Sequence, residues 1–564
     1  MKVMVQELTR CILAGCALLA VPLAHAATAG VPGIGQIRHQ LPSTQPMAPS
    51  ISVPQIQIPS TPSPSSTSRQ RVLLRGIVIT GDTVFPLVAL QALVDGAEGH
   101  YITLAKMDAL AQRITHYYHD HGYFLSYAYI PPQTLKHGTV HIAILEARYG
   151  KTTLRNTSRV DDGLLKATLG PIRPGALVAR APLDSRLMLM STLPGVIVAP
   201  ATFQPGATTG TSDLGITTTS GPAVTGNVLI DNYGSSYTGR EQLGGGLTVN
   251  SPLGIGDRLT FQGVTTGRDL NYGRMGYSVP LDGLGTRLGT TYSYLHYRLG
   301  NALANLDAHG SAWVGSLYLS QAFYLTPDSS FYGRLQWEHK GLNDNVGAAH
   351  ITDNRYINAV RFMLYGNHRD EFLGSGVTSY TASYTSGTLT FSNPAAQTAD
   401  FYTAHTQGHF SKWAVDLSRL QSLPLHTTLF LNVDGQRANT NLDSEEQFVL
   451  GGAYIMPGYS EGVIAGDSGY AVTAELRHAL PSPLPGKWQG QVFVDHGYVT
   501  INEHLWPGFS GPNNATLTDV GSGVQWTDRG FSSSVVVAWR VGHESPVLTS
   551  QPGVQVWWNA GWAF

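Results

Sequence analysis

Charge is scarce in this 564-residue chain: Asp, Glu, Lys and Arg make up 13% of it, as 35 basic and 37 acidic residues. That balance excludes the basic footprint of a nucleic-acid binder. Cysteine is scarcer still. Cys11 and Cys16 are the only two and both precede residue 27, so disulfides cannot organise the chain beyond that point. Beyond the N-terminus no apolar run is long enough for a membrane-spanning helix. No phosphate-binding loop, zinc spacing or nucleotide fingerprint is present either, so no cofactor or metal is expected. What the chain does have is glycine (63 residues) and aromatics (9%). Little charge, much Gly and Tyr/Trp and no spanning helix point to a transmembrane β-barrel. A soluble β-solenoid shares part of that composition.

Residues 1–26 read as a secretory signal: Lys2 and Arg10 form a basic start, 11–23 an apolar segment, and Ala24-His25-Ala26 a small-x-small cleavage site. Leu13-Ala14-Gly15-Cys16 resembles a lipoprotein box, but too few apolar residues separate it from Arg10. Residues 27–70 are dense in Pro, Ser and Thr and predict an extended linker, with at most a short helix over 34–40.

From 71 to 148 the pattern is compact α/β. A strand over 72–80 is followed by a helix between Pro86 and Gly96. Thr103 then caps a second helix, with the apolar stripe Leu104, Met107, Leu110, Ala111, Ile114 and Tyr118, that stops near Gly122. Strands are expected over 124–130 and 139–145. A similar order returns over 149–220, with a strand at 152–156, helices near 162–168 and 183–191, a Pro194-Gly195 turn, and strands at 196–203 and 214–219.

After Gly221 the helical period disappears. Phe331, Gly333, Leu335 and Trp337 alternate with Tyr332, Arg334, Gln336 and Glu338, and Val554, Val556, Trp558, Ala560, Trp562 and Phe564 are apolar at every second position. One apolar and one polar face suit a wall between lipid and a wet lumen. At roughly 20 residues per strand and loop, 221–564 holds about 16 antiparallel strands. The glycine-rich stretch 447–477 interrupts the alternation, and its apolar content argues for a loop with a function rather than disorder.

Taken together these features resemble the two-partner secretion transporters of Gram-negative outer membranes, the haemolysin-activator and filamentous-haemagglutinin transporter family of the Omp85 superfamily. Tyr118 with Gly122-Tyr123, then Pro131-Pro132-Gln133 and Gly138-Thr139-Val140, are similar to that family's first polypeptide-transport-associated (POTRA) domain. Leu193-Pro194-Gly195-Val196 and 205–214 are similar to its second, and Asp231-Asn232-Tyr233-Gly234 to its first barrel strand. The resemblance implies a membrane β-barrel of about 16 strands over 221–564, preceded by two small periplasmic α/β POTRA domains over 71–148 and 149–220.

The resemblance also implies that a loop over about 451–474 folds into the lumen. Its tip in the family carries an arginine that pairs with the aspartate of a Phe, Asp and Gly motif on the barrel wall. Here the tip reads Met456-Pro457-Gly458-Tyr459 and the wall motif Phe493, Asp495 and Gly497, so proline stands where the arginine belongs. Gly458 and Tyr459 are expected to dock the tip, with Asp495 turning to the backbone or to a distant base. Gly466 and Asp467 flank the loop, and Glu475 and Arg477, two apart on a strand, are expected to form an ion pair. Members of the family often begin with a helix that plugs the pore; 34–40 is the sole candidate here.

Two serine motifs invite an enzymatic reading, Gly458-Tyr459-Ser460-Glu461-Gly462 and Gly466-Asp467-Ser468-Gly469, but neither has the strand-turn-helix context of a nucleophile. His116, His119, Asp120 and His121 read as a polar helix end. The implied function is export of one large secreted exoprotein across the outer membrane, in contact with outer-membrane lipid and without nucleic acid or cofactor, through a barrel closed within one chain. Two alternatives stand beside it: an insertase for other barrels, and a passive porin-like barrel.

Overall fold

The computed structural model describes residues 32–41, 55–57, 71–135, 137–542, 545–548 and 551–564. The signal and lipoprotein-box readings, and most of the linker, lie outside the described residues. Where the linker is described it departs from an extended tether. Helix α1 (Ile34–His39) and strand β1 (Ile56–Gln57) both form, because each finds a surface elsewhere in the molecule to pack on.

The first module contains β2 (Arg71–Leu73), β3 (Gly76–Thr80), α2 (Leu87–Val94), β4 (Tyr101–Thr103), α3 (Leu104–Asp120), β5 (Tyr127–Tyr129) and β6 (Thr139–Leu145). Strand β3 runs parallel to β6 and β5 antiparallel to it. The Thr103 hydroxyl caps α3, and Met107, Leu110, Ala111, Ile114 and Tyr118 are its buried stripe. Strand β5 is shorter than the 124–130 read from sequence, because the Ser126 N–H bonds the Tyr123 carbonyl in a turn that comes after the helix.

The second module runs β7 (Arg148–Thr157), α4 (Asp162–Leu169), α5 (Arg180–Ser191), β8 (Val196–Val198), β9 (Ala201–Pro205) and β10 (Thr211–Ser220). Its sheet has the order β1-β9-β10-β7, with β8 also on β10. Ala199 and Pro200 separate β8 from β9, so the single strand expected at 196–203 is two. Strand β1 lies parallel on the β9 edge, Ile56 opposite Ala201 and Gln57 opposite Thr202.

The remaining chain closes on itself. Strands β11 (Val224–Asp231), β12 (Gln242–Asn250), β13 (Arg258–Thr265), β14 (Leu270–Pro280), β15 (Thr286–Arg298), β16 (Ala308–Leu325), β17 (Ser329–Val346), β18 (Ile351–Asp370), β19 (Gly376–Phe391), β20 (Gly408–Leu423) and β21 (Thr427–Ala438) succeed one another around the wall. After a short hairpin, β22 (Phe448–Leu450) with β23 (Ile464–Gly466), the wall resumes with β24 (Ser468–Leu480), β25 (Lys487–Thr500), β26 (Asn514–Asp528), β27 (Phe531–Arg540) and β28 (Val554–Ala563). Strand β28 pairs back with β11, from Asn227 opposite Ala563 to Asp231 opposite Asn559, and closes a barrel of 16 antiparallel strands.

Outward side chains such as Leu335, Trp337, Val492, Val494, Val556 and Trp562 are exposed and apolar, whereas Glu338, Lys340 and Asp495 on the inner face are buried. An apolar band outside and a polar lumen, with every wall strand paired on both sides, is the form in which strands can cross lipid.

Glu146, just past β6, holds the first module together. Its carboxylate accepts from the Thr83 N–H at 2.7 Å, the Val84 N–H at 3.0 Å and the Tyr118 hydroxyl at 2.9 Å, and also from the Thr83 hydroxyl. Burial pushes this carboxyl up, but the bonds from Thr83, Tyr118 and Val84 outweigh it and leave it below its ordinary range. A depressed carboxyl contributes stability that is complete above its unfolded pKa and disappears as pH falls through the folded one. The melting temperature of the first module is therefore expected to be level down to about pH 5 and to drop below about pH 4. Glu146→Ala, which leaves four donors unpaired, should cost about 2–4 kcal/mol and remove that acid transition, as read by near-UV circular dichroism of the tyrosines.

Candidate functional site

The lumen is filled by two pieces of the chain that are not part of its wall. The first is the loop 439–467 between β21 and β24, which folds inward. The wall resumes at Ser468, six residues before the loop end expected at 474, because Ser468 already pairs with Thr500. Asp467, fully buried, pins the loop base: it accepts from the Leu442 N–H at 3.0 Å, the Gln447 side-chain amide at 3.0 Å and the Glu503 N–H at 2.8 Å. At Gly466 a Cβ would lie 2.3 Å from the Thr500 carbonyl oxygen, so only glycine permits this approach.

At the tip, the Tyr459 N–H donates to the Met456 carbonyl at 3.0 Å, which closes a turn with Pro457 in its second position. There the ring presets the φ that the turn needs. The tip is docked by neutral donors: the Gly458 N–H to Oδ2 of Asp519 at 2.7 Å, the Trp557 indole N–H to the Pro457 carbonyl at 2.7 Å, and the Tyr459 hydroxyl to the Thr518 carbonyl at 3.2 Å. Met456, Tyr459 and Leu450 pack with Ala471, Val499 and Leu517 of the wall. Gly458 and Tyr459 carry docking bonds, while Asp495, expected to turn to the backbone or to a distant base, makes other contacts. Asp495 shares a hydrogen bond with Asp519 across to β26 and bonds Thr473 on β24; among the described residues no base reaches it. Arg477 is taken by Glu475 in a bidentate pair at 2.9 and 3.0 Å. A proline tip offers N–H and carbonyl groups instead of a guanidinium, so its acceptor is Asp519, one strand beyond the aspartate of the motif. The other motif residues make room for this: the Phe493 ring covers Gly521, and the bare face of Gly497 receives Leu450 and Met456.

The second piece is α1, which lies in the lumen as a plug. Ile34, Ile37 and Leu41 are buried against Leu270, Leu295, Tyr297, Leu342 and Ile357 of the wall. Its first N–H, of Ile34, donates to Asp344 at 2.9 Å. Arg38 pairs with Glu445 of the loop, and the His39 ring donates to the Glu445 carbonyl at 3.0 Å. Burial pushes that ring down to about 4, so it is neutral at physiological pH. Helix and loop touch at Gly35, where a Cβ would lie 2.2 Å from the Glu445 nitrogen.

Beneath this contact the wall supplies cations. Lys340 bonds Glu445 at 3.1 Å and Glu446 at 2.6 Å, and Lys412 bonds Glu446 at 2.9 Å. Burial alone would push the Glu446 carboxyl up, but Lys340, Lys412 and Arg361 hold it well below its ordinary range. None of these partners was legible as a site in sequence.

The remaining predicted residues are structural. Gly122, with φ +89°, ends the turn after α3, and its carbonyl accepts from the Arg180 N–H of the second module. Tyr123 bonds back to the Tyr118 carbonyl. The Gln133 amide makes both bonds, each 2.8 Å, with the His141 backbone, just past the bend at Pro132. Gly138, with φ +79°, leaves 2.6 Å between a would-be Cβ and the Leu73 carbonyl. The rings of His119 and His121 bond main-chain carbonyls.

The profile described as haemolysin secretion/activation protein ShlB/FhaC/HecB matches residues 210–507, more than half of the chain. The chain belongs to this family. A second profile, the ShlB-type POTRA domain, matches 72–147. Among curated relatives, the heme/hemopexin transporter protein HuxB of Haemophilus influenzae (strain 86-028NP) is 28% identical over 454 residues, 78% of each chain. The outer membrane transporter CdiB of Dickeya dadantii is 24% identical over 503 residues, 87% of this chain and 86% of that one. Among solved structures, CdiB from Escherichia coli superposes with a TM-score of 0.69 at 22% identity, covering 90% of this chain and 93% of that one. BamA from Haemophilus ducreyi, lacking POTRA domains 1–3, reaches 0.52 at 15% identity, covering 87% and 100%. The fold is thus that of the Omp85 superfamily. As in the rest of the family, the barrel resides in the outer membrane and the modules face the periplasm.

Substitutions at two positions separate the two stoppers. Gly35→Ala should push α1 off the loop and raise the open-channel conductance of the purified protein in planar bilayers severalfold. Asp519→Ala removes the acceptor of Gly458 and should free the tip at a cost of about 1.5–3 kcal/mol; Asp519→Asn keeps an acceptor there and should resemble the wild type in protease protection of the loop.

Proposed function

We propose that this chain exports one large secreted exoprotein across the outer membrane by two-partner secretion, with its cargo passing through the lumen after α1 and the loop tip give way. The observation that carries the reading is how the lumen is stoppered. Both stoppers are segments of the same chain, held through side chains and single backbone bonds, so a path opens without unfolding the wall. The division of labour we propose gives 1–26 to export of the chain itself, 71–148 and 149–220 to capture of unfolded cargo, and 221–564 to conduction within outer-membrane lipid.

Capture fits strand addition, in which backbone bonds provide affinity and side-chain pockets specificity. The β9 edge already accepts one extended segment, Ile56–Gln57 of the linker. Transport, not hydrolysis, is the chemistry we assign. The Ser468 hydroxyl bonds Glu503, the Ser460 hydroxyl accepts from Gln555, and no histidine partners either one among the described residues.

Deleting 72–219 should abolish appearance of the cognate exoprotein in the medium while the barrel remains heat-modifiable on gels; continued export would overturn the reading. A finer test uses the cysteine-free body of the chain. Ile56→Cys with Ala201→Cys, on directly paired residues about 4.8 Å apart, should lock the linker onto β9. If that edge captures cargo, oxidation halts export and reduction restores it.

A further inference from the structure

Where the second module meets the barrel, a cavity of about 780 Å³ opens into the lumen. Leu189 and Leu193 of the module form one side. The barrel contributes Arg258, Arg274, Arg287 and Arg334, which point inward from β13, β14, β15 and β17. Four other arginines of the wall are spoken for: Arg355, Arg361, Arg419 and Arg477 each meet a carboxylate. These four meet none among the described residues. Arg287 reaches only neutral acceptors, the Gly256 carbonyl and the Ser278 hydroxyl, each at 3.2 Å. The Arg334 guanidinium stands 4.2 Å above the Tyr318 ring and 5.9 Å from that of Tyr365, with its Nε buried and unpartnered. Asp282, the acid in the lining, is turned back on its own turn, where it accepts from the Leu284 N–H and from the Thr286 N–H and hydroxyl.

We infer that this vestibule is a binding site for an extended acidic segment of polypeptide. Four like charges on neighbouring strands repel one another and form a positive field at a narrow mouth. Such a cluster is best neutralised by carboxylates, to which guanidinium presents a planar two-toothed fork. Tyr318 holds the Arg334 guanidinium over its ring, so one cation is already positioned before a ligand arrives. Deeper in the lumen, acids and bases neutralise each other around Glu445 and Glu446; at the mouth four arginines face one lining acid, Asp282, whose carboxylate is held by its own turn. The inference rests on the reading that cargo enters from this end, and it adds what the entering segment should carry: Asp and Glu, spaced along an extended chain.

The test is direct binding of a fluorescein-labelled oligoglutamate peptide of about twelve residues to the detergent-solubilised full chain, measured by anisotropy. The wild type should bind it, more weakly as salt rises, and should not bind an oligoglutamine of the same length. Replacing all four arginines by glutamine should weaken binding at least tenfold. Arg258→Gln with Arg274→Gln removes two charges that make no side-chain hydrogen bond or ion pair among the described residues, and should weaken it severalfold with heat-modifiability intact. Arg298→Gln, at the opposite end of β15, should have no effect. Equal binding of oligoglutamine, unchanged affinity in the double variant, or an equal loss with Arg298→Gln would overturn the inference. Export is not the readout, so a failure of the secretion reading would show separately, in the deletion of 72–219.

Discussion

Glu445 and Glu446 carry two adjacent negative charges into the middle of the lumen, where neither side chain keeps more than 1% of its exposure. A buried carboxylate without a partner costs several kcal/mol, and the arrangement of the lumen answers to that constraint. Lys340 and Lys412 supply cations from the wall, and Arg38 brings a third on a helix that is otherwise apolar toward the barrel. Glu445 is bonded by both Arg38 and Lys340. When α1 leaves, Lys340 remains, so departure of the plug strands no charge. The pairing that holds the resting state is thus also what allows the helix to go.

Loop tip and plug are held by different chemistry. The plug depends on ion pairs and on a glycine-sized contact at Gly35. The tip depends on a proline turn, one indole, one backbone N–H and the shape of an apolar pocket. Pro457 exchanges the directional strength of an arginine for rigidity: a preset turn loses less freedom on docking, which offsets part of the missing charge-assisted bond.

Much of the fold was legible because strand and helix periods are local signals. Leu335 and Trp337 against Arg334 and Glu338 give the wall its two faces, and the stripe from Met107 to Tyr118 gives α3 its buried side. The loop was legible from its glycines. The partners were not, because they join residues far apart in sequence: Gly458 to Asp519, Pro457 to Trp557, Arg38 to Glu445. Asp519 carries no motif of its own; only the pairing of β25 with β26 brings it beside Asp495. The plug was legible only as a short helical candidate over 34–40, and its docking was not. Six residues, IGQIRH, are too few for a helical period to show, and what stabilises them is a surface supplied by β15 to β17. The linker strand on the second module was hidden likewise, since Ile56–Gln57 is a strand only because β9 has a free edge.

Closure of the wall joins its first strand to its last. Asn227 meets Ala563 and Asp231 meets Asn559 across nearly the whole barrel sequence, whereas every other seam but one links strands separated by a single turn or loop. The entropy of bringing such distant segments together is spent before any of those bonds form. Hairpins can therefore zip along the chain early, but the cylinder exists only at the end. Until then β11 and β28 present unpaired edges, and the interval between hairpin formation and closure is when this chain is most exposed to pairing with the wrong partner.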